Sequence, residues 1–185
     1  LILLIGAAIG IKPFLDLLPG LADGVFRSGV EGFATFAAVA GAGAIIAGVW
    51  MALRGSSRGT TRIAFGSMLL GVLGMVIVCA TQIFWVGLLG TFLVGAAITL
   101  SGTATQILMQ LSVEGAVRGR VMSLYGMVHR GVPALGAVFI GVAAEVVGLQ
   151  AAMYGGAALT SLIFVLMLRR YASMVAVLEP DDKRP

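Results

Sequence analysis

The chain has 185 residues, 59% of them hydrophobic and 11% charged, with a formal net charge of +4. At a mean hydropathy of +1.08 it carries too little polar surface for a soluble globule, and the composition is that of an all-α polytopic membrane protein. The basic residues stand at helix ends without interleaved aromatics, so the charge does not imply nucleic acid, and the single cysteine, Cys79, excludes an internal disulfide or a cysteine-rich metal site.

The first apolar run, residues 1–21, begins without an initiator Met, a basic leader or a small-residue cleavage site, and is read as the start of a fragment. Lys12 and Asp16 stand four apart in it, on one helix face, where they can pair. Pro13 removes a backbone donor between them and predicts a kink. Two readings stay open: a pathway pair, or charges that only neutralise one another or lie near the outer interface.

Residues 22–31, with Asp23, Arg27 and Glu31, read as an external loop. The second span, 32–53, carries two stripes of small residues, Ala40/Ala44/Gly48 and Ala34/Ala38/Ala42, which let helix backbones approach closely. Arg54, Arg58 and Arg62 follow in a nine-residue loop without an acid, which marks it as cytoplasmic. The third span, 63–80, has no charged residue, only Ser67 and scattered Gly, and can face lipid all round.

A tight turn at 81–84 leads into the fourth span, 84–110, with Trp85 in the aromatic interface belt. At 100° per residue Thr99, Thr103, Gln106 and Gln110 fall on one stripe about 60° wide. Such a stripe suits either a hydrated pathway or interhelical hydrogen bonding. Residues 111–119 read as a second internal loop, with Arg118 and Arg120 at its edge.

The fifth span, 121–147, places Arg130 ten residues past Arg120, roughly 15 Å deeper along a helix and near mid-membrane. A guanidinium at that depth costs about 2.5–3.5 kcal/mol unless it faces protein or water. His129 lies about 100° around the helix from Arg130, so the two need not share a surface; it is a hydrogen-bond partner for a neighbouring helix or a proton relay. Glu145 is placed near the outer interface. The sixth span, 151–168, ends at Arg169 and Arg170, and residues 172–185 form a disordered, cytoplasmic tail after a six-helix unit at 1–171. Six alternating spans put nine Lys and Arg residues inside and Arg27 outside, in agreement with the positive-inside rule.

The run Arg118-Gly119-Arg120-Val121-Met122-Ser123-Leu124-Tyr125, with Arg130-Gly131, Pro133-Ala134-Leu135-Gly136 and Gly148, resembles the loop and eleventh helix of major facilitator superfamily transporters. Enterobactin-exporter-like and macrolide-efflux-like bacterial permeases are the closest branch. The resemblance implies that this is the C-terminal half, helices seven to twelve, of a twelve-helix carrier in a bacterial inner membrane. Helices seven, eight, ten and eleven would line its cavity, and nine and twelve would face lipid. It further implies efflux of a small amphipathic or cationic molecule such as a drug or siderophore, driven by proton antiport. The N-terminal half, the bilayer and the small-molecule substrate would be the partners. His129 departs from the resemblance, which has an aromatic residue there. No cofactor is expected, and HExxH, GxSxG and paired acidic motifs are lacking within the spans, which argues against an enzyme. The alternative is a six-helix scaffold or assembly protein without transport activity.

Overall fold

The computed structural model describes residues 11–55, 58–113 and 115–168. All of its regular structure is helical: α1 (Pro13–Asp16), α2 (Leu18–Gly24), α3 (Gly29–Arg54), α4 (Thr60–Ala80), α5 (Phe84–Ser112), α6 (Gly115–Val147) and α7 (Leu149–Leu168). Helices α3 to α7 are five segments long and apolar enough to cross a membrane. The protein is an all-α polytopic membrane protein, because a chain of this composition can satisfy its backbone in hydrocarbon only by closing each span on itself.

The first span is broken. The chain turns at Ile11 and Lys12, Pro13 opens α1, and the helix stops at Leu17, whose N–H bonds Pro13 O at 3.1 Å and Phe14 O at 3.2 Å. Pro19 then sits in the first turn of α2, where its missing donor costs nothing. The segment expected as an external loop is partly helical, since α2 continues through Asp23 and Gly24. At this end Phe26, Phe36 and Phe84 pack together with ring centroids 4.9–6.5 Å apart.

Helix α5 lies between α3 and α4 and packs on both. Both crossings are built on glycine. A Cβ on Gly43 would run into the Phe92 carbonyl, and one on Gly95 into the Ala40 carbonyl. On the other side, a Cβ on Gly74 or on Gly90 would come within 2.7 Å of the other's carbonyl oxygen. The face of α3 that is buried is Gly32, Phe36, Ala40, Gly43 and Ala47. Of the two expected small stripes, Ala40/Ala44/Gly48 borders this contact, whereas Ala34, Ala38 and Ala42 are exposed.

Residues 63–80, which can face lipid all round, do so on one side only. Helix α4 buries Ala64, Phe65, Met68, Gly71, Met75, Val78 and Cys79 against α5 and α7, and exposes Leu69, Leu73 and Val76 on its other side. Apolar side chains serve equally well against lipid and against protein, so the absence of charge does not distinguish the two. The internal loop expected at 111–119 shrinks likewise: α5 runs to Ser112 and α6 starts at Gly115, placing Arg118 and Arg120 on the helix itself, both exposed.

Helix α6 touches the rest of the fold along a narrow strip, with Tyr125, Gly136 and Ile140 its buried positions. Gly148, at φ +87, turns the chain into α7, and the Gln150 side chain donates to the Cys79 carbonyl at 3.2 Å, fastening the start of α7 to the end of α4.

Candidate functional site

Between α5 and α6 lies an open cavity of about 410 Å³. From α5 it receives Ile98, Thr99, Gly102, Thr103 and Gln106, and from α6 Tyr125, Gly126, His129 and Arg130. The polar stripe of the fourth span therefore meets the charged turn of the fifth. Thr99 and Thr103 are half-buried, and Gln106 and Arg130 are exposed at the rim. Gln110, one turn further along α5, is exposed and outside the lining. Thr99 Oγ1 donates back to Gly95 O at 3.3 Å.

Two residues of α6 fasten this wall. Tyr125 is 6% exposed, and its hydroxyl donates to the Gly102 carbonyl at 2.9 Å. One turn on, the His129 ring stacks on the Tyr125 ring with centroids 5.2 Å apart at 28°. Gly102 makes room for the His129 ring, because a Cβ there would stand 3.1 Å from His129 Cε1. Tyr125 lies outside the residues singled out from the sequence as pathway residues. Its spacing of four from His129 places the two on one helix face, which is the signal that marks it.

Lys12 reaches the same cluster from 117 residues away. Its Nζ lies 2.8 Å from both His129 Nδ1 and Nε2, and can donate to whichever nitrogen lacks a proton. It also lies 3.4 Å from the His129 carbonyl oxygen. That carbonyl has no i+4 partner, because residue 133 is a proline inside α6 and carries no N–H. A lysine placed here supplies the donor that the helix cannot.

The expected Lys12–Asp16 pair is corrected: Lys12 is 9% exposed and turned to His129, and Asp16 is exposed, with no ion pair between them among the described residues. Lys12 precedes the four-residue helix Pro13–Asp16 that carries Asp16, and its side chain turns inward to α6. His129 and Arg130, expected to need no common surface, line one cavity, since it wraps around more than one face of α6.

A second, apolar groove of about 400 Å³ adjoins the first. It is lined by Leu15, Leu18, Phe33, Ala37, Ala40, Gly41, Ala44 and Gly95, and shares Ile98 and Thr99 with the polar cavity. Neither α4 nor α7 contributes a residue to either lining.

The basic loop is shaped rather than merely solvated. Gly55 and Gly59 take φ of +58 and +69, Arg54 lies 5.9 Å over the Trp50 ring, and its guanidinium donates to the Arg58 carbonyl. Arg58 and Arg62 are exposed.

The family described as transmembrane secretion effector, within the major facilitator superfamily, matches residues 3–184. Comparison with curated proteins gives no match, and neither does comparison with solved structures.

Proposed function

Because the chain belongs to the transmembrane secretion effector family of major facilitator transporters, we propose that it exports a small amphipathic molecule by alternating access coupled to protons. In this reading residues 1–171 form the six-helix C-terminal half, helices seven to twelve, which rocks against a second six-helix half around a site at mid-membrane. The observation that carries it is the cavity between α5 and α6, where Arg130 meets Thr99, Thr103 and Gln106. Arg130 lies about 15 Å along the helix from Arg120. A guanidinium kept at that depth fits a water-accessible pathway and is costly against lipid.

The contributions divide by element. Arg130, Thr99, Thr103 and Gln106 bind and orient solute. His129 is the titratable group facing that solute, with Lys12 and Tyr125 holding its ring in place. Arg54, Arg58, Arg62, Arg118 and Arg120 hold the cytoplasmic face, and the C-terminus lies on that side of a bacterial inner membrane.

The test is gradient-driven uptake in proteoliposomes under an imposed pH gradient, followed with dansyl-undecyl amphiphiles bearing sulfonate, hydroxyl or trimethylammonium heads. Wild type is expected to accumulate at least one of them and to lose this on collapse of the gradient, while Arg130→Gln is expected to retain under about a tenth of the rate. Folded protein that moves none of them contradicts transport of this class.

A further inference from the structure

The two adjoining cavities differ in chemistry, and the difference selects a ligand charge. The polar one presents the Arg130 guanidinium and the His129 ring, and the Lys12 Nζ stands 2.8 Å behind that ring. Its remaining polar side chains, the Thr99 and Thr103 hydroxyls, the Gln106 amide and the Tyr125 hydroxyl that donates to Gly102 O, are neutral. No Asp or Glu is among its described lining residues. Asp16 is exposed on α1, and Glu145 lies fifteen residues along α6 from Arg130, about 22 Å away. A cationic ligand would meet like charge here without a carboxylate to offset it. An oxyanion would meet a planar fork of donors that matches its geometry, flanked by hydroxyls and an amide.

The neighbouring groove supplies the other half of the ligand. Leu15, Leu18, Phe33 and Ala37 line it with hydrocarbon, and it joins the cationic cavity along Ile98 and Thr99. Each volume lies within the range of roughly 300–1,000 Å³ typical of ligand pockets.

We propose that this pair of cavities binds an amphipathic anion. Its sulfonate, phosphate or carboxylate head sits against Arg130, Thr103 and Gln106, and its apolar body lies between α1–α3 and α5. The proposal deepens the transport reading by giving the charge of what is moved. Head-group binding is a property of the resting protein, so it is tested without flux.

The experiment titrates the purified protein, in phosphatidylcholine nanodiscs and without a gradient, with the three dansyl-undecyl amphiphiles. The sulfonate is expected to bind at least about tenfold tighter than the trimethylammonium form, and Arg130→Gln is expected to abolish most of that preference. Equal affinities for the three heads, or tighter binding of the cation, would overturn the proposal on wild type alone, whatever the variant does. A second measurement locates the site: thiol labelling of Thr103→Cys is expected to slow when the sulfonate is present and not when the trimethylammonium form is. A sulfonate preference without that protection overturns the placement. Adding phosphatidylglycerol to the nanodisc separates the sources of the anion: displacement of the sulfonate probe identifies a lipid head, and its retention identifies a solute. A sulfonate preference in a protein that moves no probe overturns the transport reading and leaves this one standing, and uptake without head-group preference does the reverse.

Discussion

Lys12 Nζ stands 3.4 Å from the carbonyl oxygen of His129, the carbonyl that Pro133 leaves without a helical donor. A proline in α6 and a lysine before α1 thus answer one another across the bundle. Replacing Lys12 removes the donor to this half-buried carbonyl, at a cost of about 0.5–1.5 kcal/mol, whereas Asp16 faces outward. Lys12→Met is therefore expected to lower the thermal midpoint in detergent by several degrees, and Asp16→Ala to leave it nearly unchanged. Equal effects of the two would show that Lys12 acts through its charge and not through this contact.

The same relationship predicts non-additivity. Pro133→Ala restores the N–H to which the His129 carbonyl would bond within the helix. In that background Lys12→Met is expected to cost less, with a coupling of about 1 kcal/mol in a double-mutant cycle. Strict additivity would mean that the proline and the lysine are unrelated.

Cysteine scanning separates the wall of the cavity from the packed helices. Thr103→Cys, on the half-buried lining of the cavity, is expected to react with a membrane-impermeant thiol reagent. Ser67→Cys, at a position 2% exposed in α4, is expected to stay unlabelled until the protein is denatured. An unreactive Thr103→Cys in folded protein would mean that the α5 stripe meets a helix and not water.

The turn between α6 and α7 depends on a backbone only glycine adopts readily. Gly148 has φ +87, with open space around its Cα. Gly148→Ala is expected to destabilise by about 1–2 kcal/mol through backbone strain alone, read as a lower midpoint with uptake retained. An unchanged midpoint would show that the turn rebuilds.

Much of this architecture is legible in the sequence because the bilayer constrains it. Expected spans at 32–53, 63–80, 84–110, 121–147 and 151–168 correspond to α3 to α7, extended by a few residues where helices continue past the hydrocarbon. Periodicity places Thr99, Thr103, Gln106 and Gln110 on one stripe of α5, of which the first three line the cavity with Arg130 and Gln110 lies outside it. The partner of Lys12 is not legible in the sequence. Local spacing favours Asp16, and only the packing of α1 on α6 brings the lysine, at the start of that helix, to a residue 117 positions away. The burial of α4 was hidden for a different reason, because hydrophobicity carries no record of whether its neighbour is a lipid chain or a glycine-faced helix.

The glycine crossings have a mechanical consequence. Where Gly43 and Gly95, and again Gly74 and Gly90, press backbone on backbone, sliding α3 or α4 along α5 by one residue would drive a side chain into a carbonyl. These three helices are geared together and can move only as a block. Helix α6 is held near the cavity by side chains: a tyrosine hydroxyl, a stacked ring and a lysine, all of which can let go without any backbone having to yield. A change in the width of the cavity is therefore easiest at α6 and the broken segment at α1–α2, with the α3–α5 block as the frame against which they shift.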